Sequence, residues 1–327
     1  LLASGGSAVG GYFWFRVGDD GKWTQSPTAS EVGPYTVYWY VKGDGNHIDL
    51  GSETNPYGEL TTQIQKANYD MNAVRWTTTT YTYDGTPKQE GVTVTQLPSP
   101  DITPTYTYKN ANNETIKEAV DAGTYTVTAT FTTSSGNFVN PAPMSTTLTI
   151  EPFNLQGAYV DGVIADQVYT SQPVEPVTEE LHPVLYVKLG GQEIPFGAYT
   201  TTYLNNINAG NSTATATMTA NNSDPNYVGS KALRFSITKK PVEVSTLSQT
   251  IDYGETISSN TDQASLSGAA EGHVVSAVTL RPVGNYTSYV VGNGDETTYE
   301  KVIMADDVHI KDGSGNDVTA NYTITCP

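Results

Sequence analysis

The sequence predicts an all-β protein made of tandem Ig-like antiparallel β-sandwich modules in an elongated array. Three observations predict it: residue markers that recur about every 86 residues, an alternation of apolar and polar positions, and a composition typical of strands and turns. The chain holds 22 Tyr, 30 Gly and 18 Pro, whereas charged residues make up only 15%. Aromatic and β-branched residues favour strands, and Gly and Pro favour turns, so helices are not expected.

Three independent markers recur at nearly constant spacing. The first is a glycine before a strand-like run, at Gly33, Gly123 and Gly210, with spacings of 90 and 87 residues. The second is an isoleucine near the end of a later run, spaced by 86 and 87, and the third is a tyrosine that enters a turn, spaced by 86 and 84. These residues are Ile64, Ile150 and Ile237, and Tyr83, Tyr169 and Tyr253. Such a period is too long for a solenoid and fits a sandwich domain of about 100 residues or slightly fewer.

The markers divide the chain into four predicted modules with short connections. The modules, numbered 1 to 4 below, span 1–67, 68–152, 153–240 and 241–327. Because the connections leave little room for linkers, neighbouring modules should touch end to end.

Alternation within the modules predicts strands with one buried face. In "GTYTVTATF" (123–131) every second residue is a threonine, and the residues between them are apolar or aromatic. The predicted inward residues are Tyr125, Val127, Ala129 and Phe131. Residues of a strand alternate between its two faces, so this run has a buried side and a wet side. The run 35–43 follows the same pattern, and the run 212–220 follows it with smaller residues, which predicts a shallower core.

Short phrases follow a constant order within the modules. Module 1 carries "ASEVGPYTVYWYVKGDGNHID", and module 2 carries "YTYDGTPKQ" and "VDAGTYTVTATF". Module 3 carries "NINAGNSTATATM" and "NYVGSKALRFSI", and module 4 carries "IDYGET", "AAEGH" and "IKDGSGNDVTANYTI". This order resembles the MBG (YGX/YDG-type) Ig-like repeats of Gram-positive cell-surface adhesins, and the resemblance covers essentially the whole chain. It implies a surface adhesin or stalk segment rather than a catalytic activity. Relative to that family, module 1 has no opening Tyr-x-Gly strand and module 4 ends before the last strand, so we expect module 1 to be N-terminally truncated and module 4 to be C-terminally incomplete.

Charge and cysteine content exclude several classes. The formal net charge of −18 disfavours nucleic acid and anionic membrane surfaces as partners, and it favours a monomer. The single cysteine, Cys326, excludes an internal disulfide framework. No apolar run approaches the roughly 18–20 residues that span a bilayer, and the opening stretch "LLASGGSAVGG" lacks the basic region and the full apolar region expected of a signal peptide. If the protein is exported, we expect its signal and anchor to lie outside this chain.

Residues that commonly carry catalysis are scattered. The histidines are scattered along the chain and show no zinc-binding spacing; they are His47, His182, His273 and His309. Adjacent acids such as Asp19 and Asp20 would point to opposite faces of a strand, which is unsuited to acid–base catalysis at one bond. We therefore expect neither an enzyme nor a cofactor.

One acidic segment, "DDVHIKDGSGNDVTAN" (306–321), is a candidate calcium loop. Its oxygen-bearing residues surround a glycine-rich turn, and Ca²⁺ prefers oxygen ligands. They are Asp306, Asp307, Asp312, Asn316 and Asp317. The segment lacks the full acidic pattern and the distal glutamate of an EF-hand, so a hairpin turn is the favoured interpretation and calcium the alternative.

Module 1 contains a group of tryptophans, Trp14, Trp23 and Trp39. Alternation places Trp39 on the same face as Val37 and Val41, which predicts core packing for Trp39. Exposed aromatic rings bind glycans by stacking, and Trp23 is the candidate for that role.

The sequence thus predicts a non-catalytic structural or adhesive repeat region of a bacterial cell-surface protein. It would act as an extended stalk or adhesion segment, about 30 Å per module at ~3.3 Å per residue. We expect it to be extracellular and attached to the cell wall or cell surface. Its partner would be a host or cell-surface protein or a glycan. The alternative is a carbohydrate-binding accessory region of a large secreted glycosidase.

Overall fold

A computed structural model of the chain describes residues 2–3, 6, 8–178, 183–252, 255–283 and 303–327. Its regular structure is made of β-strands, together with short 3-10 turns at Gln89–Gly91, Leu155–Gly157, Thr261–Gln263 and Thr319–Asn321. The prediction of an all-β fold with antiparallel sandwich sheets is confirmed. The chain divides into two compact units, Leu1–Glu151 and Pro152–Pro327. Of the predicted marker and histidine positions, Tyr253 and His182 lie outside the described residues.

The first unit begins with a three-stranded antiparallel sheet in the order β1-β2-β3. The strands are β1 (Gly11–Val17), β2 (Gly33–Gly43) and β3 (Gly58–Ile64). Phe15 and Val37 form the buried core of this sheet together with Leu2, and the rings of Phe13 and Trp39 pack against them.

The rest of the first unit is a five-stranded sheet and a short two-stranded pair. The strands are β4 (Arg75–Trp76), β5 (Thr80–Thr82), β6 (Val94–Thr95), β7 (Ile102–Lys109), β8 (Thr115–Ile116), β9 (Gly123–Thr133) and β10 (Met144–Glu151). The large sheet has the order β5-β10-β9-β7-β8, and β4 pairs with β6. Val94 of β6 packs with Ala129 and Phe131 of β9, so the short pair covers one face of the large sheet.

The second unit begins with nine strands in three sheets. They are β11 (Phe153–Asn154), β12 (Tyr159–Asp161), β13 (Gln167–Val168), β14 (Val184–Leu189), β15 (Gln192–Phe196), β16 (Tyr199–Leu204), β17 (Gly210–Ala220), β18 (Tyr227–Val228) and β19 (Ser230–Thr238). The sheet orders are β13-β19-β17-β16, β12-β14-β15 and β11-β18.

Five further strands complete the second unit. They are β20 (Lys240–Thr246), β21 (Ala264–Ser267), β22 (Val274–Pro282), β23 (Ile303–Lys311) and β24 (Tyr322–Thr325). Their sheets have the orders β21-β20-β24 and β22-β23. Each sheet of the chain draws its strands from one predicted module, except that β20 begins one residue before module 4. The division into four modules and the tandem repeat stay predictions, and the module numbers are kept as labels for those ranges.

The alternation predicted for 123–131 is present in β9. Val127, Ala129 and Phe131 are buried, and the threonines between and beside them are exposed or half-buried. On β17 the buried positions include Ala214 and Ala216, which agrees with the predicted smaller core residues.

The sequence markers meet at the same place in three sheets. Each opening glycine is the register partner of the isoleucine that follows it in the chain; the pairs are Gly33–Ile64, Gly123–Ile150 and Gly210–Ile237. The two described marker tyrosines bond one residue beyond the isoleucine. The Tyr83 N–H donates to the Glu151 carbonyl (2.7 Å), and the Tyr169 N–H donates to the Thr238 carbonyl (3.0 Å). The markers therefore belong to one recurrent piece of sheet construction.

The opening glycines reach this arrangement in two ways. Gly33 and Gly123 both have φ of +155°, a region that side chains rarely adopt. Gly210 does not, because the chain accommodates its turn with a bulge between Gly210 and Ala214, where Ser212 has φ of +53°. Backbone freedom thus explains the glycine in modules 1 and 2 but not in module 3.

Gly123→Ala is expected to lower the free energy of unfolding of module 2 by about 1–3 kcal/mol, because alanine is strained at that φ. A Cβ at Gly123 would meet no atom within 4 Å, so the effect isolates the backbone. Gly136→Ala is the matched control, since Gly136 is also unobstructed and lies outside the positive-φ region. Urea unfolding of both variants provides the measurement. Equal stabilities would contradict the explanation.

Candidate functional site

The candidate glycan residue Trp23 lies in a group of rings and one cation. Its ring meets that of Tyr40 edge to face, with centroids 4.8 Å apart and planes at 82°. The guanidinium carbon of Arg16 lies 5.2 Å from the Trp23 ring centroid and 5.1 Å from that of Tyr38. Arg16 therefore contacts both aromatic rings. A sugar that stacked on the same face of Trp23 would have to displace the guanidinium.

The carboxylate of Asp19 lies next to Tyr38, at the edge of the group formed by Trp23, Tyr38, Tyr40 and Arg16. A hydrogen bond to Asp19 and the negative charge of its carboxylate raise the pKa of the Tyr38 phenol. The Nε of Arg16 is buried and has no hydrogen-bond partner among the described residues. The arrangement offers a half-buried, mixed aromatic and charged surface, but it contains no pair of groups placed for bond cleavage.

Trp39 is half-buried and packs against the core, in line with the core packing predicted for it. Its ring centroid lies 5.5 Å from that of Phe13 and 5.1 Å from that of Tyr57, and it packs against the buried core of the first sheet. Tyr40, the partner of Trp23, is the next residue along β2 and so points to the opposite face. Trp14 lies opposite Tyr40 in the register of β1 and β2. The three tryptophans therefore do not form one binding face.

The glycine-rich part of the candidate calcium loop is a hydrogen-bonded turn. Asp312 Oδ1 accepts the backbone N–H groups of Ser314 (2.9 Å) and Asn316 (2.8 Å). Asp312 Oδ2 accepts from Nδ2 of Asn316 at 3.0 Å. The side-chain bond from Asn316 is the main cause of the lowered pKa of Asp312, and the backbone bonds add to it. Both carboxylate oxygens of Asp312, the central acid of the candidate calcium loop, thus already accept hydrogen bonds from their own turn.

The remaining acids of this loop have other partners. Asp306 Oδ2 lies 3.3 Å from Nε of Arg281. Asp307 Oδ1 lies 3.6 Å from Nε2 of His309, and Asp317 Oδ2 lies 3.2 Å from its Nδ1. Within the described ranges no three His, Cys, Asp or Glu side chains are grouped so that they could hold a metal ion. The geometry favours the hairpin interpretation, and calcium binding stays an untested alternative.

Asp317 is expected to titrate with a pKa of about 2. A hydrogen bond from the Thr319 side chain is the largest cause, followed by the Thr319 N–H and by His309. A folded-state pKa below the unfolded value of about 3.9 adds stability above that value, and this stability is lost as the pH falls through about 2. NMR titration of the carboxyl carbon checks the value. Thr319→Ala should move it upward, and an unchanged value would contradict the assigned cause.

The described histidines and the cysteine have separate surroundings. His47 Nδ1 lies 2.8 Å from Asp44 Oδ1, and His273 Nδ1 lies 2.7 Å from the Tyr322 hydroxyl. Burial, and to a smaller extent the charge of Asp306, raises the pKa of the Cys326 thiol, which disfavours the reactive thiolate. His182, as noted, lies outside the described residues.

Two asparagines that the sequence did not single out make contacts between predicted modules. Asn137 of module 2 bonds to Glu31 and Val32 of module 1. Asn321 of module 4 bonds to the loop before Gly210 in module 3. The only sequence signal is that each asparagine directly precedes an aromatic residue, in "GNF" and "ANY".

Comparison of the sequence with protein-family models and with curated proteins found no match. The resemblance to MBG-type repeats therefore depends on the quoted phrases alone. A search of the described residues for helices found none with the length and hydrophobicity needed to cross a bilayer.

Proposed function

We propose that the chain is a non-catalytic structural or adhesive repeat region of a bacterial cell-surface protein. It would act as an extended stalk or adhesion segment outside the cell, with a host or cell-surface protein or a glycan as partner. The observation that carries the proposal is the recurrent pairing of an opening glycine with an isoleucine in three separate sheets. This recurrent pairing is part of the sheet backbone and contains no reactive group, as expected of a spacer.

The distribution of ionisable groups also supports this proposal. Asp44, Asp84 and Asp317, for example, each bond to a side chain nearby in the sequence, His47, Lys88 and His309 respectively. Such local pairs are suited to stabilising turns, which is a structural role. The net charge of −18 favours a soluble surface with self-repulsion, which suits a segment displayed at high density.

Small-angle X-ray scattering of the whole chain tests the stalk role. Four modules in line, about 120 Å long, would give a radius of gyration near 35 Å, whereas a compact chain of this length would give about 20 Å. A value near 20 Å would overturn the stalk and leave only an adhesive role for the surface.

The alternative function is a carbohydrate-binding accessory region, and the partial exposure of the Trp23 ring is the observation that favours it. A glycan array with the whole chain is the test. Binding that is lost in Trp23→Ala and retained in Tyr12→Ala would support this alternative, since Tyr12 is an aromatic residue of β1 that is 63% exposed. The absence of any glycan signal together with an extended scattering profile would support the stalk.

A further inference from the structure

In the first unit one asparagine side chain joins module 2 to module 1. Asn137 Oδ1 accepts the Val32 N–H at 2.8 Å, and Asn137 Nδ2 donates to Glu31 Oε2 at 3.0 Å. A backbone N–H can only donate and an ionised carboxylate can only accept, so these partners fix the orientation of the amide. We call this pair of bonds the first joint.

The second unit contains the same arrangement at a second joint. Asn321 Oδ1 accepts the Ala209 N–H at 2.7 Å, and Asn321 Nδ2 donates to Asn208 Oδ1 at 3.1 Å. In both joints the side-chain acceptor lies two residues before an opening glycine, Gly33 or Gly210, and the backbone donor lies one residue before it. Two sites separated by more than 170 residues thus share atom types, polarity and bond lengths.

The same backbone contact places both asparagines. Phe138, directly after Asn137, forms a parallel bridge with Ala67, where module 1 passes into module 2. Tyr322, directly after Asn321, is the parallel register partner of Lys240, where module 3 passes into module 4. Each asparagine therefore lies where the chain enters its module, next to the end of the preceding one.

We propose that this asparagine is a docking residue for the loop before the opening glycine of the preceding module, and that it fixes how the two modules of a unit are placed. The loop that it recognises has the form acid-or-amide, any residue, glycine. The residue before the variable one supplies a side-chain oxygen, and the variable residue supplies only its backbone N–H. The inference concerns the joint itself and holds whether or not the chain lies on a cell surface.

The chemistry of the carboxamide explains the choice of asparagine. It carries one acceptor oxygen and one donor NH₂ group on a single short side chain, so it can bond to the backbone N–H and to the side-chain oxygen of the loop at the same time. Aspartate would keep the acceptor for the N–H but would place a second carboxylate against Glu31. Because Glu31 and Asn208 both serve as acceptors, the recognised feature is an oxygen rather than a charge.

Distance measurements between spin labels on modules 1 and 2 test the proposal. The whole chain would carry Cys326→Ser, with labels at the exposed positions Lys22→Cys and Lys117→Cys. Asn137→Ala and Asn137→Asp should raise the ratio of undocked to docked molecules about ten-fold or more, because alanine removes both bonds and aspartate replaces the bond to Glu31 with charge repulsion. The distance distribution broadens accordingly.

Moving the negative charge from position 31 to position 137 should restore docking. In Asn137→Asp combined with Glu31→Gln, the Gln amide and the Val32 N–H both donate to the new carboxylate, so the narrow distribution should return. Asn112→Ala, in an exposed turn of module 2, is the matched control and should leave the distribution unchanged.

Several outcomes would overturn the proposal. One is a distribution in the Asn137 variants no broader than in Asn112→Ala, and another is a double variant as broad as Asn137→Asp alone. Hydrogen exchange in β9 and β10 of the same samples separates local unfolding from undocking. Lost protection in these strands would mean that Asn137 stabilises module 2 itself and does not position it against module 1. Neither result bears on the scattering or glycan-array tests of the proposed function.

Discussion

Replacing Phe131 with alanine is expected to lower the free energy of unfolding of module 2 by about 3–5 kcal/mol, through lost burial and the cavity left behind. Phe131 is 1% exposed and packs with Val94 of β6, with Val74 directly before β4, and with Ile102 and Ala129 of the large sheet. It therefore holds the two layers of module 2 together. Losses of this size approach the whole stability of a small domain.

Hydrogen exchange measured by mass spectrometry checks this prediction region by region. Protection should fall in β7, β9 and β10, while β1 to β3 keep theirs, because the first sheet has its own core around Phe15 and Val37. Thr130→Ala is the control on the exposed face of the same strand, and it should change stability by less than about 0.5 kcal/mol. Equal effects of the two substitutions would be incompatible with the layered core.

Ile310→Ala is expected to cost about 2–5 kcal/mol and to weaken modules 3 and 4 together. Ile310 is fully buried in a cluster that spans both modules. Phe235 and Ile237 come from module 3, and Val242 and Tyr322 come from module 4. A cavity at Ile310 removes contacts from both, so protection should fall in β17 and β19 as well as in β20 and β24.

Leu280→Ala is the matched core truncation for this experiment. Leu280 is buried in a second cluster whose buried members, among them Val244, Val278 and Ala305, all belong to module 4. It should lower protection in β22 and β23 and leave β17 close to native. If Ile310→Ala also acted on module 4 alone, the two modules would not share a core.

The sequence was sufficient for the all-β fold and for the buried face of a long alternating strand such as β9. Alternation is a local property, so the inward positions of β9 could be assigned from nine residues. The same holds for Trp39, whose position between Val37 and Val41 indicated core packing. The markers were recognised by their spacing, but their pairing was not foreseen. Gly123 and Ile150 are partners across a sheet, and periodicity alone does not show which distant residues pair.

The contacts of individual polar side chains were beyond sequence reasoning. Asn137 bonds to a backbone N–H 105 residues away, and Asn321 to one 112 residues away, and no local pattern encodes such partners. The contact of Arg16 with Trp23 was not foreseen either, because the cation comes from β1 and the ring from the segment that follows this strand. In the acidic loop, composition indicated oxygen ligands, whereas the fold turned the Asp312 carboxylate toward its own backbone N–H groups.

The parallel pairs at the edges of two sheets have a mechanical consequence. β5 runs parallel to β10, and β13 runs parallel to β19, close to the marker isoleucines Ile150 and Ile237. Tension that enters before β5 and leaves after β10 acts along both strands, so it loads their hydrogen bonds in shear. Bonds loaded in this way share the force and break together, whereas a peeled hairpin opens one bond at a time. Resistance to pulling would then depend on the unfolding rate, and these short edge strands would set it in both units.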